Sequence, residues 1–190
     1  MNIPEPFNKI IKGNYSKAKT IHQFWNDCFT DLIKQLDIAD EDYQKRAKLT
    51  GDMFEFAFWY VIKQKGVELQ NDVEIPEACM MGAGALDFGI IKNKKVICGI
   101  EAKGSSEDAS VRPALKRTDT VKKAIAQAYQ FKKAHPKVPF YVVTNVMPDG
   151  GNAKCMLNLA EGDLIDKVVD VSDTKQLDAF VEILKRISKS

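Results

Sequence analysis

Asp87, Glu101 and Lys103 are the residues of this chain whose types and spacing could do chemistry. They lie on the stretch from Gly84 to Ser105, GALDFGIIKNKKVICGIEAKGS, which reads as two β-strands joined by a short polar turn, Lys92-Asn93-Lys94-Lys95. Successive side chains on a strand point to opposite faces. Val96, Cys98, Ile100 and Ala102 are therefore predicted to point one way, and Ile97, Gly99, Glu101 and Lys103 the other. Glu101 and Lys103 project side by side, and Asp87, on a first strand with Leu86, Phe88, Ile90 and Ile91, reaches the same place if the hairpin register allows. Charges on strands this apolar have to be paired, metal-bound or at a rim. A surface hairpin with a cross-strand ion pair is the plainer reading of the same residues.

The order Leu86-Asp87 and then Glu101-Ala102-Lys103, fourteen residues from acid to acid, resembles the signature of the PD-(D/E)XK nuclease superfamily. That signature is an Asp on one strand and Glu-X-Lys on the next, and Leu86 stands where the superfamily has Pro. The resemblance covers about residues 41 to 145. It implies an α/β fold, a restriction-endonuclease-like sandwich in which helices flank a central mixed β-sheet. It also implies Mg²⁺-dependent hydrolysis of phosphodiester bonds in double-stranded DNA. Asp87, Glu101 and the backbone carbonyl of Ala102 would hold the metal. Lys103 would orient or deprotonate the attacking water and stabilise the phosphate. In the superfamily a Glu on the helix before the catalytic strands often helps hold the metal, and Glu55 matches that place. A carboxylate at the helix edge, paired with Lys or Arg, is the other reading of Glu55. One or two ions per site fit the resemblance, with Mn²⁺ substituting and Ca²⁺ supporting binding without cleavage. A single small domain looks most like a type II restriction endonuclease, working as a homodimer on a short palindrome. A repair or junction-resolving nuclease of the same fold is one alternative, and a catalytically inactive DNA-binding or assembly module is another.

The elements that must position these residues can be read from hydrophobic periodicity. Residues 1–40 are expected to form an arm followed by an amphipathic helix, Ala18 to Leu36, a candidate core or dimer helix. A second helix is expected from Glu41 to Lys65, stopping at Gly66 and breaking or kinking at Thr50-Gly51-Asp52, because Gly weakens a helix interior. Its run MFEFAFWYVI is apolar nearly all round, so Glu55 interrupts a buried surface and must find a cation or take up a proton. Residues 67–82 read as a strand or broken pair, and Gly82-Ala83-Gly84 as a bend or a close approach to a ligand. A helix capped by Thr118 or Asp119 is predicted to Ala134, with Val121, Ile125 and Ala128 as its inner stripe and Ala124 and Phe131 beside it. Val138 to Asn145 is a buried strand and Met147 to Asn152 a turn or mobile loop; Lys167 to Val171 is a strand and Thr174 to Ile187 a helix. Residues 41–145 would thus be the catalytic core, and residues 146–190 a C-terminal strand and helix.

Arg112, Lys116, Arg117, Lys122 and Lys123 place five of the chain's 28 basic residues within twelve positions, the densest basic segment. Such clusters suit phosphates, so these residues are candidate DNA contacts, with Ser105 and Ser106 in the loop after Lys103. Gln127 joins them because it and Gln130 resemble the Gln that the superfamily carries after Glu-X-Lys in several branches.

A chain of 190 residues, 45% apolar, is expected to form one domain with a substantial core. A net charge of +2 is too small to announce nucleic-acid binding, so any DNA footprint rests on charge placement. The sequence lacks an apolar run long enough to span a bilayer, and MNIPEPFNKIIKGN lacks a signal-peptide core. No membrane partner and a cytoplasmic location are expected. Cys28, Cys79, Cys98 and Cys155 are widely spaced, which favours reduced thiols, and His22 and His135 alone make a zinc site a poor reading.

Overall fold

The computed structural model describes residue 21, residues 42–105 and residues 113–190. The expected N-terminal arm, most of the helix from Ala18 to Leu36, Cys28, Ser106 and Arg112 lie outside the described residues. Ile21 is helical and buried in the core.

Helix α1, Tyr43–Gln64, starts where Asp42 accepts the Lys45 N–H at 3.2 Å, one of the donors that a helix N-terminus leaves without an internal partner. It runs unbroken through Thr50-Gly51-Asp52, against expectation. Thr50 Oγ1 donates to the Ala47 carbonyl at 2.8 Å, and the ten residues after Asp52 fasten this stretch to the core. From Met53 to Ile62 every side chain except Glu55 is buried. Packing here outweighs the few tenths to ~1 kcal/mol by which Gly disfavours a helix.

Five strands form one sheet in the order β1-β2-β3-β4-β5: β1 Gln70–Val73, β2 Leu86–Lys92, β3 Lys95–Ala102, β4 Phe140–Thr144 and β5 Lys167–Asp170. The first three run antiparallel to one another; β3, β4 and β5 are parallel. Parallel neighbours need long crossovers, and helices α2, Thr118–Ala134, and α3, Gly151–Ala160, supply them. Helix α4, Thr174–Lys189, closes the chain. The fold is thus α/β, with a mixed open sheet flanked by helices.

Alternation along the strands divides the core in two. Tyr141, Val143 and Val169 face α1 and α4, where they meet Phe58, Phe180 and Leu184. Phe140, Val142 and Val168 face α2 and α3, where they meet Val121, Phe131 and Leu157. Strand β3 keeps its alternation only from Cys98 onward. Ile90 pairs with Cys98 but Ile91 with Val96, so Ile97 is the extra residue of a β-bulge. Val96 therefore packs with the α2–α3 layer and Ile97 with the α1–α4 layer, the reverse of the predicted phase. The bulge sits at the turn end, and Glu101 and Lys103 keep their relation. The turn itself is two residues, Asn93 and Lys94, both with positive φ as a type I′ hairpin turn requires, and Lys92 and Lys95 belong to the strands.

Other expectations are corrected. Helix α3 begins inside the stretch expected to be a loop, so the C-terminal part holds two helices. Helix α2 has Arg117 at its N-cap without a side-chain cap, and Thr118 and Asp119 are already helical. Gly82-Ala83-Gly84 is a 3₁₀ turn whose Gly82 has φ of 56°, so the bend is real. Among the described residues no helix is long and apolar enough to cross a membrane.

Candidate active site

Strands β2 and β3 bring Asp87, Glu101 and Lys103 together where their ladder ends. The last regular pair is Phe88 with Ile100. Lys103 N–H goes to Val143 of β4, so the Ala102 N–H, one residue earlier, points the opposite way, toward β2. There it donates to Asp87 Oδ2 at 2.7 Å, a side chain completing what the backbone ladder leaves open. Lys103 Nζ lies 3.4 Å from the same oxygen and 3.2 Å from the Ala102 carbonyl oxygen, and it is hydrogen-bonded to Glu101 Oε1.

Burial sets the chemistry. The Glu101 side chain is fully buried, while those of Asp87 and Lys103 are 18% and 19% exposed, so the cluster opens to solvent on the Asp87–Lys103 side. Glu101 Oε2 receives no hydrogen bond from a donor, and the Asp87 carboxyl lies close enough to that of Glu101 for the two to share a proton. Burial, and after it the Asp87 charge, push the Glu101 carboxyl up to about 8, against the opposing pull of Lys103. Glu55, on α1, faces the same cluster: burial first, then Asp87, raise it to about 8, with Lys103 pulling it back. For Lys103 burial favours the neutral amine, but Glu101 and Asp87 outweigh it and hold the ammonium above its ordinary value. Two carboxyl groups, Asp87 and Glu101, thus contact one ammonium, and the charge of a third, Glu55, acts on it without an ion pair. At neutral pH the group keeps a proton or takes a cation.

The backbone beyond Lys103 is held as firmly. Gly104 packs on the ring of Phe54, the residue before Glu55, which ties α1 to the end of β3. Thr144 Oγ1 donates to the Lys103 carbonyl at 2.7 Å and accepts the Val146 N–H at 3.0 Å. Buried Asn145 clamps Ser105, accepting its N–H at 3.1 Å and donating to its carbonyl at 2.7 Å. Sequence reasoning missed Phe54, Thr144 and Asn145 as supports of the site. The polar pair that ends the apolar run VPFYVVTN was the available signal.

Among the described residues no three His, Cys, Asp or Glu side chains form a ready-made metal cage. The donor set nonetheless suits Mg²⁺, which takes one or two carboxylates and retains water. Asp87, Glu101 with its orphaned Oε2, and the Ala102 carbonyl are hard oxygen donors at one place. Glu55 acts on these groups through its charge, without a hydrogen bond or ion pair to them among the described residues.

The candidate DNA contacts are more dispersed. Ser105 adjoins the cluster through the Asn145 clamp. Lys116 is paired with Asp149 at 2.7 Å and Arg117 with Asp119 at 2.9 Å. Lys122 and Lys123 are exposed on the first turns of α2, and Gln127 is half-buried one turn on. Among the described residues no hydrogen bond or ion pair joins these side chains to Asp87, Glu101 or Lys103.

No protein-family model, curated protein or solved structure matches this chain. The functional reading therefore stands on the site alone.

Proposed function

We propose that this chain is a Mg²⁺-dependent endonuclease of the PD-(D/E)XK kind, with a restriction-endonuclease-like fold, that hydrolyses phosphodiester bonds of double-stranded DNA. The observation that carries the reading is one ammonium, Lys103 Nζ, in contact with both Asp87 and Glu101 at the end of a β-hairpin, beside a buried carboxylate oxygen without a partner. Phosphodiester hydrolysis needs a positioned, activated water and stabilisation of developing negative charge. Asp87, Glu101 and the Ala102 carbonyl would hold the ion, with Glu55 in support. Mg²⁺ bound there supplies Lewis-acid polarisation of the phosphate and a more acidic water. Lys103 supplies a positive charge to the phosphate. Glu101 and Asp87 hold it protonated before the ion is bound, and orienting or deprotonating the attacking water is the other role open to it.

Within this reading the chain is a type II restriction enzyme, acting in the cytoplasm as a homodimer on a short palindrome. Two copies related by a twofold axis would present two sites to two strands. Incubation of a sequenced plasmid with the protein and Mg²⁺ tests the proposal. Discrete fragments support it, with Glu101→Gln protein as the control. Intact plasmid under Mg²⁺ and under Mn²⁺ overturns it and leaves a DNA-binding or assembly module. Cutting without discrete fragments, or only of branched DNA, moves the chain to repair or junction resolution. Sedimentation with a cognate duplex checks the dimer.

A further inference from the structure

Lys103 Nζ stands 3.4 Å from Asp87 Oδ2 and 3.2 Å from the Ala102 carbonyl oxygen, and it contacts Glu101 Oε1 more closely still. An ammonium has three donors, and these three acceptors match them. The same oxygens would hold the divalent ion of the proposed nuclease, and competition for them rests on that reading. Two cations cannot share one small set of oxygens where water is scarce, because their repulsion is poorly screened.

The geometry points to an exchange: Lys103 and a divalent cation take turns on the oxygens of Asp87, Glu101 and Ala102, and Lys103 is freed toward the substrate only when the ion is bound. The surroundings supply what such an exchange needs. Glu101 Oε2 is buried and unpartnered, a foothold that does not require Lys103 to leave first. Asp87 and Glu101 both contact Lys103, so one ammonium stands against two carboxyl groups, which a doubly charged ion matches better. Lys103 is itself one-fifth exposed, on the open side of the cluster, so its amine has somewhere to go. The backbone on either side of it does not move with it: Lys103 N–H is bonded to Val143 and its carbonyl to Thr144. The exchange is thus a side-chain event. It keeps the ammonium docked on its own carboxylates until the ion releases it as a counter-charge for a phosphate.

Calorimetric titration of Ca²⁺ and of Mg²⁺ into the full chain without DNA tests the exchange. It is run at about pH 9 in buffers of different ionisation enthalpy. Protons displaced from the carboxyls, whose pKa values rise when Lys103 is removed, are thereby counted and the affinities corrected for them. Lys103→Met should bind Ca²⁺ on the order of tenfold more tightly than wild type, since it removes the competing cation. Lys48→Met removes a charge that acts on Asp52 but lies off these oxygens, and should change the affinity by no more than about twofold. Unchanged or weaker binding by Lys103→Met overturns the exchange, while wild-type binding that is lost in Glu101→Gln leaves the metal site standing. An equal gain in both lysine variants also overturns it, because a general field effect would then suffice. Absence of binding to every protein removes the metal site and the exchange together. Should Lys103→Met fail to fold, as judged by thermal melting, Lys103→Gln keeps a donor without the charge and carries the same comparison.

Discussion

Gly104 lies flat against the aromatic ring of Phe54: a methyl group added at Gly104 would stand 1.9 Å from the ring's Cγ. Phe54 is fully buried in α1 among the core side chains, so the ring can move only by shifting against them. Gly104→Ala should lower stability by about 1–3 kcal/mol or more, the range for an overpacked core. It should also impair the site, because the contact joins the residue after Lys103 to the residue before Glu55. Gly84→Ala is the matched control: nothing lies within 4 Å of the added carbon, and its effect should stay within about 0.5 kcal/mol. Urea melts of the three proteins decide the matter, and equal midpoints would disprove the packing argument.

Asp87 does two jobs that one substitution can separate. Its Oδ2 receives the Ala102 N–H and its charge faces Lys103. Asp87→Asn keeps an acceptor for the N–H and should melt close to wild type while losing cleavage. Asp87→Ala should lose both, because a largely buried N–H then lacks its partner, at about 1–3 kcal/mol. Lys103→Arg keeps the charge but should still fail to cut, since a planar, wider guanidinium does not fit where one Nζ meets three oxygens. Cleavage by the arginine protein near the wild-type rate would mean that charge alone suffices.

Stability should depend on pH through Glu55 and Glu101. Each has an ordinary value of 4.5 and is raised to about 8 in the fold, by burial first and by Asp87 next. The folded protein therefore holds protons that the unfolded chain has released throughout that window, and stability falls as pH rises through it. The decline continues through about pH 8, where about half of each proton is still bound, and levels off roughly one unit above it. Urea midpoints at intervals across the window should show this decline, and the Glu101→Gln protein a shallower one. Mg²⁺ should offset the loss at the alkaline end, because the ion replaces the protons. A wild-type profile parallel to that of Glu101→Gln would contradict the raised carboxyl.

Much of this was legible in the sequence because it depends on local order. The hairpin, its acids and the buried run around Glu55 come from alternation, turn residues and apolar content, all carried by neighbours in the chain. What was hidden depends on partners far along it. The bulge at Ile97 exists only in the register of β3 against β2. Gly51 is tolerated in α1 because the buried run after it holds the helix to the core. Helix α3 is ten residues long and starts at Gly150-Gly151, a turn signal that masked the spacing of Ala153, Leu157 and Ala160. Asn145 and Thr144 became part of the site only once β4 lay beside β3.

Glu55 offers a separate test of how far the site extends onto α1. Its carboxyl responds to Asp87, Lys103 and Glu101, so it shares their field. Glu55→Gln removes the charge at nearly constant size. The Mg²⁺ concentration needed for cutting should rise by more than DNA binding weakens. Superimposable metal titrations for the two proteins would place Glu55 in a structural role.

DNA affinity should reside in part on α2, where Lys122 and Lys123 stand exposed. Their neighbours are already engaged, Lys116 with Asp149 and Arg117 with Asp119. Lys122 and Lys123 have no ion-pair partner among the described residues, so contact with a phosphate breaks no internal bond there. They also sit in the first turns of a helix, where the dipole disfavours cations by a few tenths of a kcal/mol, and a bound phosphate would relieve that. Each phosphate neutralised contributes about one unit to the slope of log K against log salt. Binding by the Lys122→Ala/Lys123→Ala protein, measured with Ca²⁺ in place of Mg²⁺, should weaken for cognate and random duplexes alike. Its salt slope should be shallower by roughly one to two units. An unchanged slope would mean that this face of α2 is merely solvated. A loss confined to one sequence would instead make the two lysines readers of bases.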